Sequence, residues 1–230
     1  MDVRALLFDF DGLIVDTESP SFAAWRWIYE EHGQELNLES WSPAIGTVGG
    51  FDALGRLEEL VGRPLERDVV RARKLERELT LVEAEGLRPG VAEYLADAER
   101  LGLRTAIVSS SSREWIDRHL RRLERVYGWD AIVTADGDRA RAKPSPVLYL
   151  EALARVGVGA AQAIAFEDSP NGVRAARAAG IYTVAVPNAV TAALGLDEAD
   201  LVLESLAALP LPGLLERLEA ATPSRAAETR

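Results

Sequence analysis

Three carboxylates stand within eight residues near the start of the chain, Asp9, Asp11 and Asp16, between the apolar runs Ala5-Leu-Leu-Phe8 and Leu13-Ile-Val15. Carboxylates packed so closely repel one another and raise each other's pKa unless positive charge lies between them. Further along, Ser109-Ser-Ser-Ser112, Lys143-Pro-Ser-Pro146 and Glu167-Asp168-Ser-x-Asn171-Gly172 bring hydroxyls, an amine and more acid, each after a short apolar run. Acid, hydroxyl, amine and acid make up the inventory for phosphoryl transfer. A carboxylate attacks a phosphate ester to give an aspartyl-phosphate, which water then cleaves. An anionic nucleophile meeting an anionic phosphate needs a hard divalent cation such as Mg²⁺, which takes oxygen ligands. Lys143 supplies a point charge for the nucleophile and the phosphate oxygens, and Ser109 a hydrogen bond to a transferring oxygen. A second carboxyl must protonate the leaving alcohol and later deprotonate water, and Asp11 lies two residues from the first.

These groups share a site if the apolar runs are strands of one parallel sheet, because such sheets bind ligands beyond the carboxyl ends of their strands. Residues 3–8, 105–108, 131–134, 163–166, 183–186 and 201–203 read as strands. Residues 114–126, 146–156, 171–179 and 206–218 read as helices, with Gly102, Gly157 and Gly180 at helix ends. The alternation predicts an α/β fold, a doubly wound parallel sheet of Rossmann-like layout with helices on both faces. Residues 19–85 lack strand-like runs and carry Trp, Leu, Arg and Glu at helical spacing, with helices expected at 22–29, 51–61 and 66–83. They form a predicted helical insertion. The core is then 1–18 and 86–219, and 220–230 is expected to be a frayed tail.

Composition narrows the classes. The net charge of −11 argues against nucleic acid or an anionic membrane as partner. Cysteine is absent, which removes thiolate chemistry, and the presence of only His32 and His119, far apart in sequence, argues against a histidine-based metal site or triad. No signal-peptide layout or membrane-length apolar run occurs, so a soluble cytoplasmic protein is expected. Nothing specifies an oligomer, and a monomer is the default expectation.

In their order and spacing, Asp9-Phe-Asp11-Gly-x-x-x-Asp16-Thr17, Ser109, Lys143-Pro and Glu167-Asp168-Ser-x-Asn-Gly172 resemble the four motifs of the haloacid dehalogenase superfamily. The position and helical character of 19–85 resemble the cap of its beta-phosphoglucomutase-like branch. The resemblance implies that Asp9 is nucleophile and metal ligand. It makes Asp11 the general acid/base, with its carbonyl on Mg²⁺. Asp168 completes the ligand set, and Glu167 is either a ligand or one shell out. Ser109 and Lys143 bind phosphate, with Ser110 and Asn171 as further candidates, although Ser110 to Ser112 and Asn171 also suit helix starts. Asp16 and Thr17 either cap the first inserted helix or brace the catalytic loop.

Departures from the family's branches narrow the expectation. Dehalogenating members lack an acid at the Asp11 position. Mutase members typically carry a histidine where Ser21 stands and a basic segment where Ile45-Gly-Thr-Val-Gly49 stands. Phosphonate-hydrolysing relatives use a cap lysine, whereas Lys74 lies late in the third predicted helix. A phosphatase of a small phosphate monoester is expected, a sugar phosphate or similar metabolite. A beta-phosphoglucomutase-type isomerase is the alternative, and a receiver-type phosphoacceptor switch is disfavoured by Asp11 and the long insertion.

Overall fold

The computed structural model describes residues 1–41, 45–46, 51–123 and 128–221. Among these, six strands form one sheet in the order β3-β2-β1-β4-β5-β6. They are β1 (Ala5–Phe8), β2 (Arg104–Ser109), β3 (Ala131–Thr134), β4 (Ala163–Glu167), β5 (Tyr182–Ala185) and β6 (Leu201–Val202). All neighbours pair in parallel, and β1 is central, with Phe8 in register with Ile107 on one side and Phe166 on the other. The strand order reverses beside β1, which leaves a crevice at its carboxyl end.

Alternation along the strands decides which helices cover which face. Leu6, Phe8, Ile107, Ile164 and Phe166 point to one side, where Phe8 stacks on Phe166 at 4.9 Å between centroids. Helices α5 (Val91–Leu101), α6 (Arg113–Arg122) and α9 (Leu211–Ala221) cover that side with Tyr94, Ile116 and Leu214. Ala5, Leu7, Ala106, Ala163 and Ala165 point the other way, against α7 (Val147–Val156) and α8 (Pro170–Ala178). Four of those five are alanines, small enough to let α7 and α8 approach the sheet, while each large side chain buried opposite contributes about 1.5–3 kcal/mol.

Between β1 and α5 the chain forms α1 (Glu18–Glu31), α2 (Leu38–Trp41), α3 (Ala53–Val61) and α4 (Arg67–Val82). They surround a cluster containing Ile28, Tyr29, Trp41, Leu54 and Leu57, which Val190 and Leu194 of the loop after β5 join, and the Tyr29 hydroxyl donates to Ala53 O at 2.7 Å. Trp25 and Trp27 pack beside this cluster.

The expected single helix over 206–218 is instead a 3₁₀ turn at Leu206–Ala208 followed by α9. Pro210 forces Leu209 into extended backbone, φ −140° and ψ 101°, which interrupts the helix. Helix α6 is described only as far as residue 122, so the expected extension to 126 lies largely outside the described residues. The same holds for the predicted tail, apart from Ala220 and Ala221, which close α9.

Candidate active site

Asp9 directly follows β1, and its N–H donates to Phe166 O at 2.9 Å. The backbone then turns sharply at Gly12 (φ +78°). A Cβ there would stand 2.1 Å from Asp168 Oδ2, so glycine is demanded both by its positive φ and by the close approach of that carboxylate. Arg88 braces the loop by donating to the carbonyls of Gly12, Val186 (3.1 Å) and Pro187 (2.7 Å). Asp16 accepts from Ser19 N at 3.0 Å and from its hydroxyl at 2.8 Å at the start of α1, while Thr17 donates to Asp11 Oδ1 at 2.8 Å. The two residues thus divide the expected alternatives, with Asp16 at the helix start and Thr17 on the loop.

Beyond the carboxyl ends of β1, β2 and β4 the candidate residues converge. Asp9, Asp11, Ser109, Ser110 and Lys143 line one hollow of about 110 Å³, together with Glu18, Gly46 and Ser111. Lys143 is 1% exposed, and its ammonium lies 2.6 Å from both Asp9 Oδ1 and Glu167 Oε1. Burial alone would lower the Lys143 pKa, but Asp9 and Glu167 outweigh it and hold the ammonium above its ordinary value. Burial, then Glu167, push Asp9 well above the usual carboxylate range despite Lys143. Burial, then Asp9, do the same to Asp168. The carboxyl end of Glu18 is enclosed beside Asp11, although the residue as a whole is partly exposed, and burial raises it to about 8. Larger hollows exist, one of 380 Å³ by Glu99, Arg104 and Asp130, but it lies at the amino ends of the strands, away from this cluster.

Four donors converge on Asp11. Thr17 and the Trp115 indole (2.7 Å) reach Oδ1, while Ser109 (3.1 Å) and Ser111 (2.7 Å) reach Oδ2. Ser110 donates to Gly46 O and accepts from Lys143 N, and Ser112 caps α6 through Trp115 N. Of the serines read as candidates for a helix start, Ser112 alone takes that role, and Ser111 joins the site. Asn171 lies at the start of α8, but its amide donates to Ile45 O at 2.9 Å, tying the inserted segment to the core rather than entering the hollow.

Asp9, Glu167 and Asp168 each present an oxygen within 4.8 Å of the others. Glu167 Oε2 and Asp168 Oδ1 are buried and have no hydrogen-bond partner among the described residues. Unpartnered buried oxygens of this kind are costly unless a cation meets them. Three carboxylates face one ammonium, and every donor is a hard oxygen. The cluster fits a divalent cation.

A family model for haloacid dehalogenase-like hydrolases matches residues 3–180. The chain belongs to that family. Among the haloacid dehalogenase-like relatives it resembles is the Bacillus subtilis protein YhcW, 43% identical over 94% of this chain and 98% of its own. Hexitol phosphatase A of Escherichia coli is 30% identical over 90% of this chain and 93% of its own. The crystal structure of CbbY from Rhodobacter sphaeroides in complex with phosphate superposes with a TM-score of 0.71 at 31% identity, covering 92% of this chain and 99% of that one. The chain is therefore a hydrolase of this family with its α/β fold.

Several residues of this hydrolase site escaped the sequence reading. Tyr149 donates to Glu167 Oε1 from the buried face of α7, and a tyrosine on an otherwise apolar helix face needs a hydroxyl partner, which was the available signal. Asn188 donates to Asp168 Oδ2 at 2.7 Å and anchors Val190 N and Thr191 N, and its place just after β5 was the hint. Trp115 carried no signal. The Arg/Glu run from Glu66 to Glu78 has the pattern of a solvated helix face, yet Glu78 is 7% exposed and accepts from Lys74 at 2.8 Å, because α4 turns that face toward the crevice. Gly46 did carry a signal, because Gly46, Gly49 and Gly50 suggest from sequence either a tight loop that approaches the substrate or a plain turn; it enters the hollow from the inserted segment, whereas Gly49 and Gly50 lie outside the described residues.

Proposed function

We propose that the protein is a Mg²⁺-dependent phosphatase of small phosphate monoesters, sugar phosphates or similar metabolites, acting through an aspartyl-phosphate on Asp9. The observation that carries this reading is the buried Asp9–Lys143–Glu167 chain, with both contacts at 2.6 Å, opening into a hollow that Ser109, Ser110 and Asp11 also line. Similarity to hexitol phosphatase A and to a phosphate-bound relative supports it.

Asp9, Asp168 and the Asp11 carbonyl would hold the cation, with Glu167 Oε2 beside them. When bound, the cation offsets the charge of the acids and of the incoming phosphate. Lys143 fixes Asp9 and draws the phosphate oxygens, and the hydroxyls of Ser109 and Ser110 orient them. A carboxylate oxygen of Asp9 attacks phosphorus while the bond to the leaving oxygen breaks, and Asp11 gives that oxygen its proton. Asp11 then takes a proton from water. The resulting hydroxide attacks the aspartyl-phosphate, its P–O bond to Asp9 breaks, and phosphate and the Asp9 carboxylate are released. Residues 19–85 serve as a cap whose contacts through Gly46 and Ile45 shield the hollow from bulk water.

The deciding experiment is phosphate release from a panel of small monoesters, with Mg²⁺ and with excess chelator. Metal-dependent release supports the reading. Conversion of beta-glucose 1-phosphate to the 6-phosphate without release would replace it with the mutase reading.

A further inference from the structure

The hollow that holds Asp9 and Lys143 adjoins a second cavity of about 280 Å³, and the two share Asp11, Glu18 and Ser111. Asp11 thus stands where they meet. On the reading above, an ester whose phosphate lies by Ser109 and Lys143 extends its alcohol into this second cavity. The wall there combines three carboxyl groups, Asp11, Glu18 and Glu78, with the hydroxyls of Ser21 and Ser111 and the indole of Trp115. None of the described lining residues is Lys, Arg or His.

The chain has two lysines, Lys74 and Lys143. Lys143 is bound to Asp9 and Glu167. Lys74, one turn before Glu78 on α4, keeps its ammonium 2.8 Å from Glu78 Oε2 and 3.0 Å from Ser21 Oγ, above the Trp25 ring. Its charge is met by Glu78. Residues 42–44 and 47–50, Ser-Pro-Ala and Thr-Val-Gly-Gly, contain no cationic side chain. A second phosphate or a carboxylate entering this cavity would shed water and meet no free cation among the described lining residues, and an anion left without a counter-charge is disfavoured. Sugar or polyol hydroxyls, by contrast, donate to carboxyl oxygens, and an indole offers an amphipathic wall to a carbohydrate carbon skeleton.

We infer that the second cavity is a leaving-group subsite for an uncharged polyhydroxylated alcohol, in which Glu18, Glu78 and Trp115 favour the monophosphate of a sugar or polyol over bisphosphates and phosphorylated acids. Glu78 acts twice, as an acceptor for hydroxyls and as the group that neutralises Lys74.

The test compares kcat/KM with Mg²⁺ for glucitol 6-phosphate, glucose 6-phosphate, fructose 1,6-bisphosphate and 2-phosphoglycolate, with p-nitrophenyl phosphate as a reference. The two hydroxylated monophosphates are expected to exceed the bisphosphate and phosphoglycolate by about tenfold or more. In Glu78→Gln, which releases Lys74, the preference for glucitol 6-phosphate over fructose 1,6-bisphosphate should shrink by about fivefold or more. The wild-type ranking stands as an independent measurement if that variant folds poorly. Equal or better turnover of the bisphosphate or phosphoglycolate by the wild type would overturn the inference and leave the phosphatase reading intact. An unchanged preference in folded Glu78→Gln would remove the assignment to this cavity. Silence with every substrate, p-nitrophenyl phosphate included, would overturn both readings.

Discussion

At the scale of single residues, the two acids of the first loop occupy different settings. Asp9 is buried against Lys143, whereas Asp11 sits at the junction of two cavities under four hydrogen-bond donors. A nucleophile needs a fixed position, and a proton carrier needs access to both the leaving oxygen and water. Asp9→Asn is expected to lower turnover by at least about 10⁴-fold with an unchanged far-UV spectrum and melting curve shape. Retention of substantial activity in that variant would remove Asp9 as nucleophile. Asp11→Asn should slow the chemical step by about 10²–10⁴-fold and leave phosphate trapped on the protein, detectable as a mass increase on rapid quenching. Steady-state rates equal to wild type would remove its acid/base role.

At the scale of elements, the inserted segment meets the core beside the site through a few backbone groups, apart from the apolar packing of Val190 and Leu194. Ile45 O accepts from Asn171, Gly46 O accepts from Ser110, and Gly46 itself has φ +70°. A Cβ at position 46 would lie 2.1 Å from Ser169 Oγ, the same hydroxyl that caps α8 by accepting from Gly172 N. Gly46→Ala should therefore disturb closure of the insertion over the core without altering the core itself. The expected result is a kcat/KM loss of about 10²-fold or more, with thermal stability changed by only a few degrees. A variant with normal kinetics would show that this approach does not matter to turnover. The elements themselves were largely legible, because apolar runs and helical periodicity report local burial. The break at Pro210 was legible in principle too, through the effect of proline on the preceding residue. Helix α4 was harder: its charge-rich stretch reads as solvated, but Glu78 and Lys74 face inward, and only packing on α1 shows this.

At the scale of the whole molecule, the site concentrates unbalanced negative charge. Asp9, Glu167 and Asp168 are each 3% exposed or less, and two of their oxygens lack hydrogen-bond partners among the described residues. A divalent cation that binds the folded state alone should stabilise it by about 2.7 kcal/mol at a concentration one hundred times its Kd. The melting temperature is expected to rise with added Mg²⁺ and to return with chelator, in the absence of any substrate. The same titration on Asp168→Asn should show a much smaller rise. Equal shifts in the two proteins would place the cation elsewhere. Among the described residues no helix is long and apolar enough to cross a membrane.

The sequence by itself determined the parallel α/β architecture, the placement of acid, hydroxyl, lysine and acid after successive strands, and the family. These depend on local periodicity and short spacings, which survive without knowledge of distant contacts. Only the tertiary structure decided that Trp115 and Ser111 reach Asp11, that Tyr149 and Asn188 hold the acidic pair, and that Asn171 turns toward Ile45. It also decided that the wall beside Asp11 is acidic, with Lys74 already met by Glu78. Each of these joins residues far apart in the chain, and which side chains meet there depends on how helices cross a twisted sheet, a geometry that no short window of sequence contains.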